Sequence, residues 1–280
     1  MRAEDADYAV CFAVPAGTRG VLYIYGRQSC DTRRLEGGSV DVGNAMFGGQ
    51  EAVIIFNDVF VPWERVFMCG EYQFSGALVE RFAGYHRQSY GGCKSGVGDV
   101  LVGAAQAIAK IQGLEKAAHI KEKIVEMIHL NETIYSCGIA CSAEGRPTAS
   151  GTYLIDLLLA NICKLNVTRF PYEISRLAQD VAGGLVVTLP SERDFSHPEA
   201  GPYLEKYLRS DTAYGTEERC RMQRLIENLT LGMGAVGYLT ESLHGAGSPQ
   251  AQKIMIGRLA NLQYKEKTAR NLAGIKKDPE

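Results

Sequence analysis

Four side chains able to do chemistry stand within nine residues of the segment AGYHRQSYGGCKSGVGD, Ala83–Asp99: the imidazole of His86, the phenol of Tyr90, the thiol of Cys93 and the amine of Lys94. Histidine titrates near neutrality and suits proton handling, while imidazole and thiolate are both ligands for metals. On an unbroken helix His86 and Tyr90 share a face at i, i+4. Cys93 then lies about 10 Å from His86 along the axis, too far for one ion with bonds of about 2.0–2.3 Å. Gly91-Gly92 bears on this, because each glycine costs a helix interior about 1 kcal/mol. The pair predicts a break that turns Cys93 back toward the His86/Tyr90 face. An iron–sulfur cluster, larger than one ion, would also span the gap. Lys94 beside the thiol is expected to favour its thiolate and could hold an anionic intermediate. A capped helix end with a buried cysteine remains the alternative.

Other motifs carry less. GMGAVG (Gly232, Gly234, Gly237) fits the dinucleotide fingerprint, but that fingerprint needs a preceding strand, and TEERCRMQRLIENLTL is charged and helix-periodic. Close helix packing is the better account. Cys137 and Cys141 are an i, i+4 pair in YSCGIACSA, a small-residue surface that favours core packing over ligation. His119 and His129 lie on a charged helix and His197 in a loop, with no partner at ligand spacing.

These residues must be positioned by two regions of different grammar. Residues 1–67 are β-rich: YAVCFAV, VLYIY, EAVIIF and VFVPWERVF are short, β-branched or aromatic, and bounded by Gly, Asp and Asn. Four or five strands in so short a segment are marginal alone, so the sheet looks incomplete. Residues 68–280 carry apolar residues at three- and four-residue spacing and predict a bundle of four to six helices, the last opening with Ser248 as N-cap and Pro249 at the first position. A net charge of -2 gives no case for nucleic acid or an anionic membrane. No apolar run reaches the roughly 18–20 residues of a membrane span. Eight cysteines without an export signal point to a reducing, cytoplasmic setting, which makes three Asn-x-Thr sequons chance matches.

Taken together, YIYGRQSCDTRRLEGG, FGGQEAVIIFNDVFVPWERVFMCGEY, AGYHRQSYGGCKSGVGD, RLAQDVAGGLVVTLPSERD and YLTESLHGAGSPQAQ resemble the 4-hydroxybutyryl-CoA dehydratase family. That family is a branch of the flavin-dependent 4-hydroxyphenylacetate 3-monooxygenase-like proteins, which share the acyl-CoA dehydrogenase fold. The resemblance covers only the family's later part. It implies a mainly α chain: a C-terminal helical bundle of acyl-CoA dehydrogenase type, preceded by the remaining strands of a middle β-domain. It implies His86 and Cys93 as two ligands of a 4Fe–4S cluster close to FAD, and Tyr90, Lys94 and Glu51 at the substrate. Glu241 is matched to a base beside the flavin, and Gln179, Gly183 and Gly184 to the stretch that approaches FAD.

The implied reaction dehydrates 4-hydroxybutyryl-CoA to crotonyl-CoA by a flavin-radical route with the cluster as Lewis acid, and isomerises vinylacetyl-CoA. The implied assembly is a homotetramer through the helical domain. The family's other two cluster thiolates come from a C-x3-C pair in an N-terminal domain, so a separate N-terminal portion is an expected partner. Cys137-x3-Cys141 has the spacing but follows His86 and Cys93 inside the bundle and is no substitute. Two other outcomes stay open: a flavin-dependent aromatic monooxygenase component, which has no use for the H-x6-C thiolate, and a non-catalytic assembly fragment.

Overall fold

A computed structural model of the chain describes residues 1–25, 52–210 and 212–275. Short strands come first. β1 (Val10–Phe12) pairs antiparallel with β4 (Val66–Cys69), and β2 (Val21–Tyr25) with β3 (Ala52–Phe56). The β2–β3 register runs from Val21 opposite Phe56 to Tyr25 opposite Ala52. Alternate residues of a strand point to opposite faces, yet Ile24 (57% exposed), Val53 (63%) and Ile54 (50%) leave apolar side chains open on both faces. Among the described residues both faces of this two-stranded pairing are therefore uncovered.

From Ser75 the chain is helical. α1 (Ser75–Ile111) and α2 (Ala118–Ala143) are the long members, followed by α3 (Leu157–Val167) and α4 (Phe170–Ala182). Single turns α5 (Leu185–Thr188) and α6 (Glu192–Phe195) lead to α7 (Gly201–Leu208) and α8 (Thr216–Thr230). α9 (Met233–Ala235) runs into a π-helical segment, Val236–Thr240, and then α10 (Glu241–His244). α11 (Pro249–Leu259) and α12 (Leu262–Leu272) close the chain, and α11 opens with Pro249 after Ser248 as read from the sequence. The one core that joins α1, α2, α4 and α8 includes Leu101, Ile108, Met127, Ile174 and Ile226, all fully buried or nearly so. β5 (Arg146–Pro147) and β6 (Tyr153–Leu154) form a small ribbon between α2 and α3. Among the described residues no helix is long and apolar enough to cross a membrane.

The break expected at Gly91-Gly92 does not occur: α1 runs unbroken through both. The reason is tertiary. A Cβ placed on Gly91 would stand 2.6 Å from the Gly138 Cα of α2, so the two helices touch backbone to backbone there. A Cβ on Gly98 would stand 1.9 Å from the Asn131 Oδ1 of the same helix. The glycines are thus spent on close approach, and packing offsets their poor helix propensity. Gly92 faces open space, with nothing within 4 Å of a Cβ built on it. Gly91→Leu should therefore destabilise the chain by about 1–3 kcal/mol through overpacking. Gly92→Ala should stabilise it by up to about 1 kcal/mol through propensity. Urea denaturation compares the two, and equal effects would contradict this packing.

Candidate active site

α1 carries His86, Tyr90, Cys93 and Lys94, and its continuity sets where each one goes. Tyr90 (2% exposed) and Lys94 (8%) face inward, while His86 is half-buried and Cys93 exposed. The His86 ring stacks on Tyr90 with centroids 5.3 Å apart and meets Phe82 edge-on at 6.0 Å. With i, i+7 spacing on an unbroken helix, His86 and Cys93 lie about two turns apart on one side.

Across from α1 stands the π-helical segment. Glu241 N–H reaches back five residues to the Val236 carbonyl, the wide turn that defines such a segment. Single π turns inside α-helices occur frequently at functional sites. Here the turn presents two acceptors to one lysine: Lys94 Nζ donates to the Gly237 carbonyl at 2.6 Å and to Glu241 Oε2. Tyr90 Oη donates to the other carboxylate oxygen, Oε1. A Cβ on Gly245 would stand 2.1 Å from Tyr90 Oη, so glycine there keeps the phenol–carboxylate contact open.

Two basic residues not singled out in the sequence complete the arrangement. Arg87 Nε donates to the Ala246 carbonyl at 3.0 Å and its Nη1 to Asn161 Oδ1 at 2.8 Å, tying the loop after α10 to α1 and α3. Lys164 of α3 is fully buried, donates to the Ser242 carbonyl, and stands 4.8 Å from the Tyr90 ring centroid. Lys94 Nζ is 5.0 Å from the same ring. Lys164 left only a faint signal: it stands inside the largely apolar stretch LLLANICKLNV, where a buried charge needs a partner.

The electrostatics follow from burial and charge. Desolvation works against Glu241 ionising, but the hydrogen bonds from Lys94 and Tyr90 and the charges of Lys94 and Lys164 outweigh it and hold its carboxyl below the ordinary value. Burial lowers Lys164 to about 8, with Glu241 acting in opposition. Desolvation likewise lowers Arg87. Cys93 corrects an expectation: desolvation raises its thiol, and Lys94, whose ammonium is already committed to Glu241, only partly offsets this.

The other candidates divide. Glu51 lies outside the described residues. Gln179 sits half-buried near the end of α4, and Gly183 and Gly184 are exposed just past it, Gly183 at φ +77°, with nothing within 4 Å of a Cβ built on either. Cys141 and Cys163 are buried and pack with Cys137, and desolvation pushes the Cys141 thiol up to about 12, as suits core sulfur. His119 and His129 are exposed. His197 does more than meet solvent, because its Nδ1 accepts from Glu199 and Ala200 N–H at the start of α7. Among the described residues no three His, Cys, Asp or Glu side chains gather as a metal site.

Comparison with known proteins places this arrangement in context. The profile for the C-terminal part of 4-hydroxyphenylacetate 3-hydroxylase (HpaB) matches residues 75–274, and that for its N-terminal part matches residues 1–68. The chain is 58% identical over 285 residues to a 4-hydroxybutyryl-CoA dehydratase/vinylacetyl-CoA-Δ-isomerase of Clostridium aminobutyricum, covering 99% of this chain and 58% of that protein. The resemblance read from the motifs is thereby borne out. An oxygen-tolerant archaeal 4-hydroxybutyryl-CoA dehydratase from N. maritimus superposes with a TM-score of 0.96 at 62% identity, over 100% of this chain and 56% of that one. HpaB complexed with FAD and 4-hydroxyphenylacetate matches with a TM-score of 0.82 at 25% identity, over 97% of this chain and 56% of that one. For fold alone, butyryl-CoA dehydrogenase from Megasphaera elsdenii aligns at a TM-score of 0.53 and 15% identity, over 92% of this chain and 53% of that one. The helical bundle is of acyl-CoA dehydrogenase type, and the chain spans a little over half the length of these relatives.

The ion pair at Glu241 has a pH signature. With its carboxyl held below 4.5, the stabilisation it confers is complete above that value and is lost as pH falls through the lowered folded value. Glu241→Gln should cost about 2–3 kcal/mol near pH 7, since it leaves Lys94 short of its acceptor. That gap should close as pH falls below 4.5. Urea denaturation of both proteins across this range checks it, and a gap independent of pH would refute the assignment.

Proposed function

The chain belongs to the 4-hydroxyphenylacetate 3-hydroxylase family, and from that membership and the contacts of Tyr90 and Lys94 on α1 with Glu241 on α10 we propose that it is the C-terminal portion of a dehydratase converting 4-hydroxybutyryl-CoA to crotonyl-CoA, with vinylacetyl-CoA isomerisation as the companion activity. In this reading residues 1–67 are part of a middle β-domain and 68–280 the helical-bundle domain. One observation carries it: an exposed thiol and a half-buried imidazole, Cys93 and His86, flank the same helix turn from which Tyr90 and Lys94 grip Glu241.

The donor chemistry fits an iron–sulfur cluster, which accepts thiolates and in some cases histidine. No described residue hydrogen-bonds the His86 ring nitrogens, and Cys93 Sγ faces outward, so both are available as half of a ligand set. The exposed, side-chain-free corner at Gly183 and Gly184, beside Gln179, suits the approach of a flat ring system such as FAD. When bound, FAD supplies one-electron oxidation and the cluster a Lewis acid for the departing hydroxide.

The chain's own residues handle the protons. Glu241, kept ionised by Lys94, is the carboxylate that takes the proton next to the thioester. Tyr90 Oη, bonded to Glu241 Oε1, keeps that carboxylate aimed and supplies a route by which the proton leaves it or returns. Lys94 holds Oε2 against rotation and compensates the charge. Overall the substrate loses a proton and hydroxide and regains a proton at its terminal carbon for each one taken next to the thioester, so isomerisation needs only the proton relocations.

Flavin-dependent aromatic hydroxylation is the second reading, favoured by the FAD-bound HpaB likeness, but it leaves Cys93 without a task. We further propose a cytoplasmic homotetramer joined through the helical domain. The exposed Val125, Ile128, Tyr135 and Ile139 of α2 support that joining.

Anaerobic co-production of this chain with the portion of a dehydratase that it does not span tests the proposal. Iron, sulfide, FAD and crotonyl-CoA formation should appear together. Cys93→Ala should lose iron and at least about a hundredfold in rate, and Glu241→Gln should lose a comparable factor with iron retained. Flavin without iron, together with hydroxylation of a phenol, would transfer the chain to the second reading.

A further inference from the structure

Lys164 is a fully buried charge beside the site that the mechanism above does not use. It stands on α3 and contributes nothing to the surface. Its ammonium donates to the carbonyl of Ser242, the residue that follows Glu241, and lies 4.8 Å from the Tyr90 ring centroid. The charged and titratable groups that face it are Glu241 on α10, Lys94, Arg87 and Tyr90 on α1, and Cys163 on its own helix. Among these described groups Glu241 is the sole carboxylate. A buried ammonium is retained only where hydrogen bonds and an opposite charge compensate its desolvation. Here the compensation is the backbone one residue past Glu241 and the Glu241 carboxylate itself.

We infer that Lys164 is the positioning residue for Glu241: it pins the chain immediately after the carboxylate and supplies a second positive charge to it beside that of Lys94. Lys94 grips the carboxylate oxygen, and Lys164 fixes the backbone that carries it. The two divide the work, because a side chain at the end of a π turn can be aimed only if the turn itself is held. The arrangement also makes the site sensitive to alkali. Burial brings Lys164 to about 8, so above that pH Glu241 keeps only one of its two ammoniums.

This rests on Glu241 as the acid–base carboxylate, and the test separates the two ideas. In the intact chain labelled with 13Cε-lysine, one lysine resonance should titrate near pH 8, vanish in Lys164→Met, and fall by about one further unit in Glu241→Gln, since an opposite charge is removed. No lysine titrating below the ordinary range, or one unmoved by Glu241→Gln, overturns the inference whatever reaction the enzyme performs.

In the assembled enzyme, Lys164→Met should lower kcat about a hundredfold with KM changed by less than about threefold. Lys164→Arg should recover at least a tenth of the rate and move the alkaline limb of the kcat profile upward by more than one unit, since arginine keeps its charge. Full kcat with an unchanged profile in a folded Lys164→Met would also overturn it. Should Lys164→Met fail to fold, Lys164→Arg and Glu241→Gln carry the decision. If the coupling is seen in the resonances but crotonyl-CoA never forms, the positioning role stands and the dehydratase reading fails.

Discussion

The Glu241 carboxylate is the point at which the chain's distant parts are drawn together. Tyr90 and Lys94, about 150 residues earlier, each hold one of its oxygens, and Lys164 and Arg87 fasten the backbone on its far side. Every one of those four side chains is buried, and each would be costly to leave without its partner. The segment Gly232–Gly247 is anchored in the core by Tyr238 and Leu239. Its polar bonds to α1 and α3 add a directionality that hydrophobic contact alone would not give.

That seating depends in turn on α1 being straight. On the unbroken helix Tyr90 and Lys94 share a face at i, i+4, and so one carboxylate meets both. The backbone contact between Gly91 and Gly138 keeps α1 in line, so the same glycines that weaken the helix locally are what allow it to be braced. The consequence reaches the thiol. On a straight helix Cys93 stays on the outer side near His86, while its neighbour Lys94 turns inward and is spent on Glu241. Desolvation of the thiol, which the Lys94 charge only partly offsets, is why an adjacent ammonium does not yield a low-pKa thiol.

The exposed apolar strands fit a chain that spans a little over half the length of its relatives: β2 and β3 show apolar side chains on both faces. The contacts of Tyr90 and Lys94 with Glu241, by contrast, lie wholly within the described residues.

Residue chemistry along the chain was enough to single out the segment of α1 that carries His86, Tyr90, Cys93 and Lys94. The i, i+4 relation of His86 and Tyr90, the adjacency of Cys93 and Lys94, and the change from period-two to helical patterning near residue 70 are local properties, and spacing reports them faithfully. Glu241 and the dehydratase branch were reached through resemblance, not spacing. Three matters were decided by tertiary structure. Glycine propensity argued for a break that packing against Gly138 removed. Lysine adjacency argued for a thiolate that desolvation of Cys93 outweighed. Lys164, the π turn and the clamp on Ser242 left almost no mark in the sequence. The physical reason is range: propensity and periodicity act over a few residues, whereas a buried ion pair spanning some 150 residues exists only once the helices that carry its halves have packed.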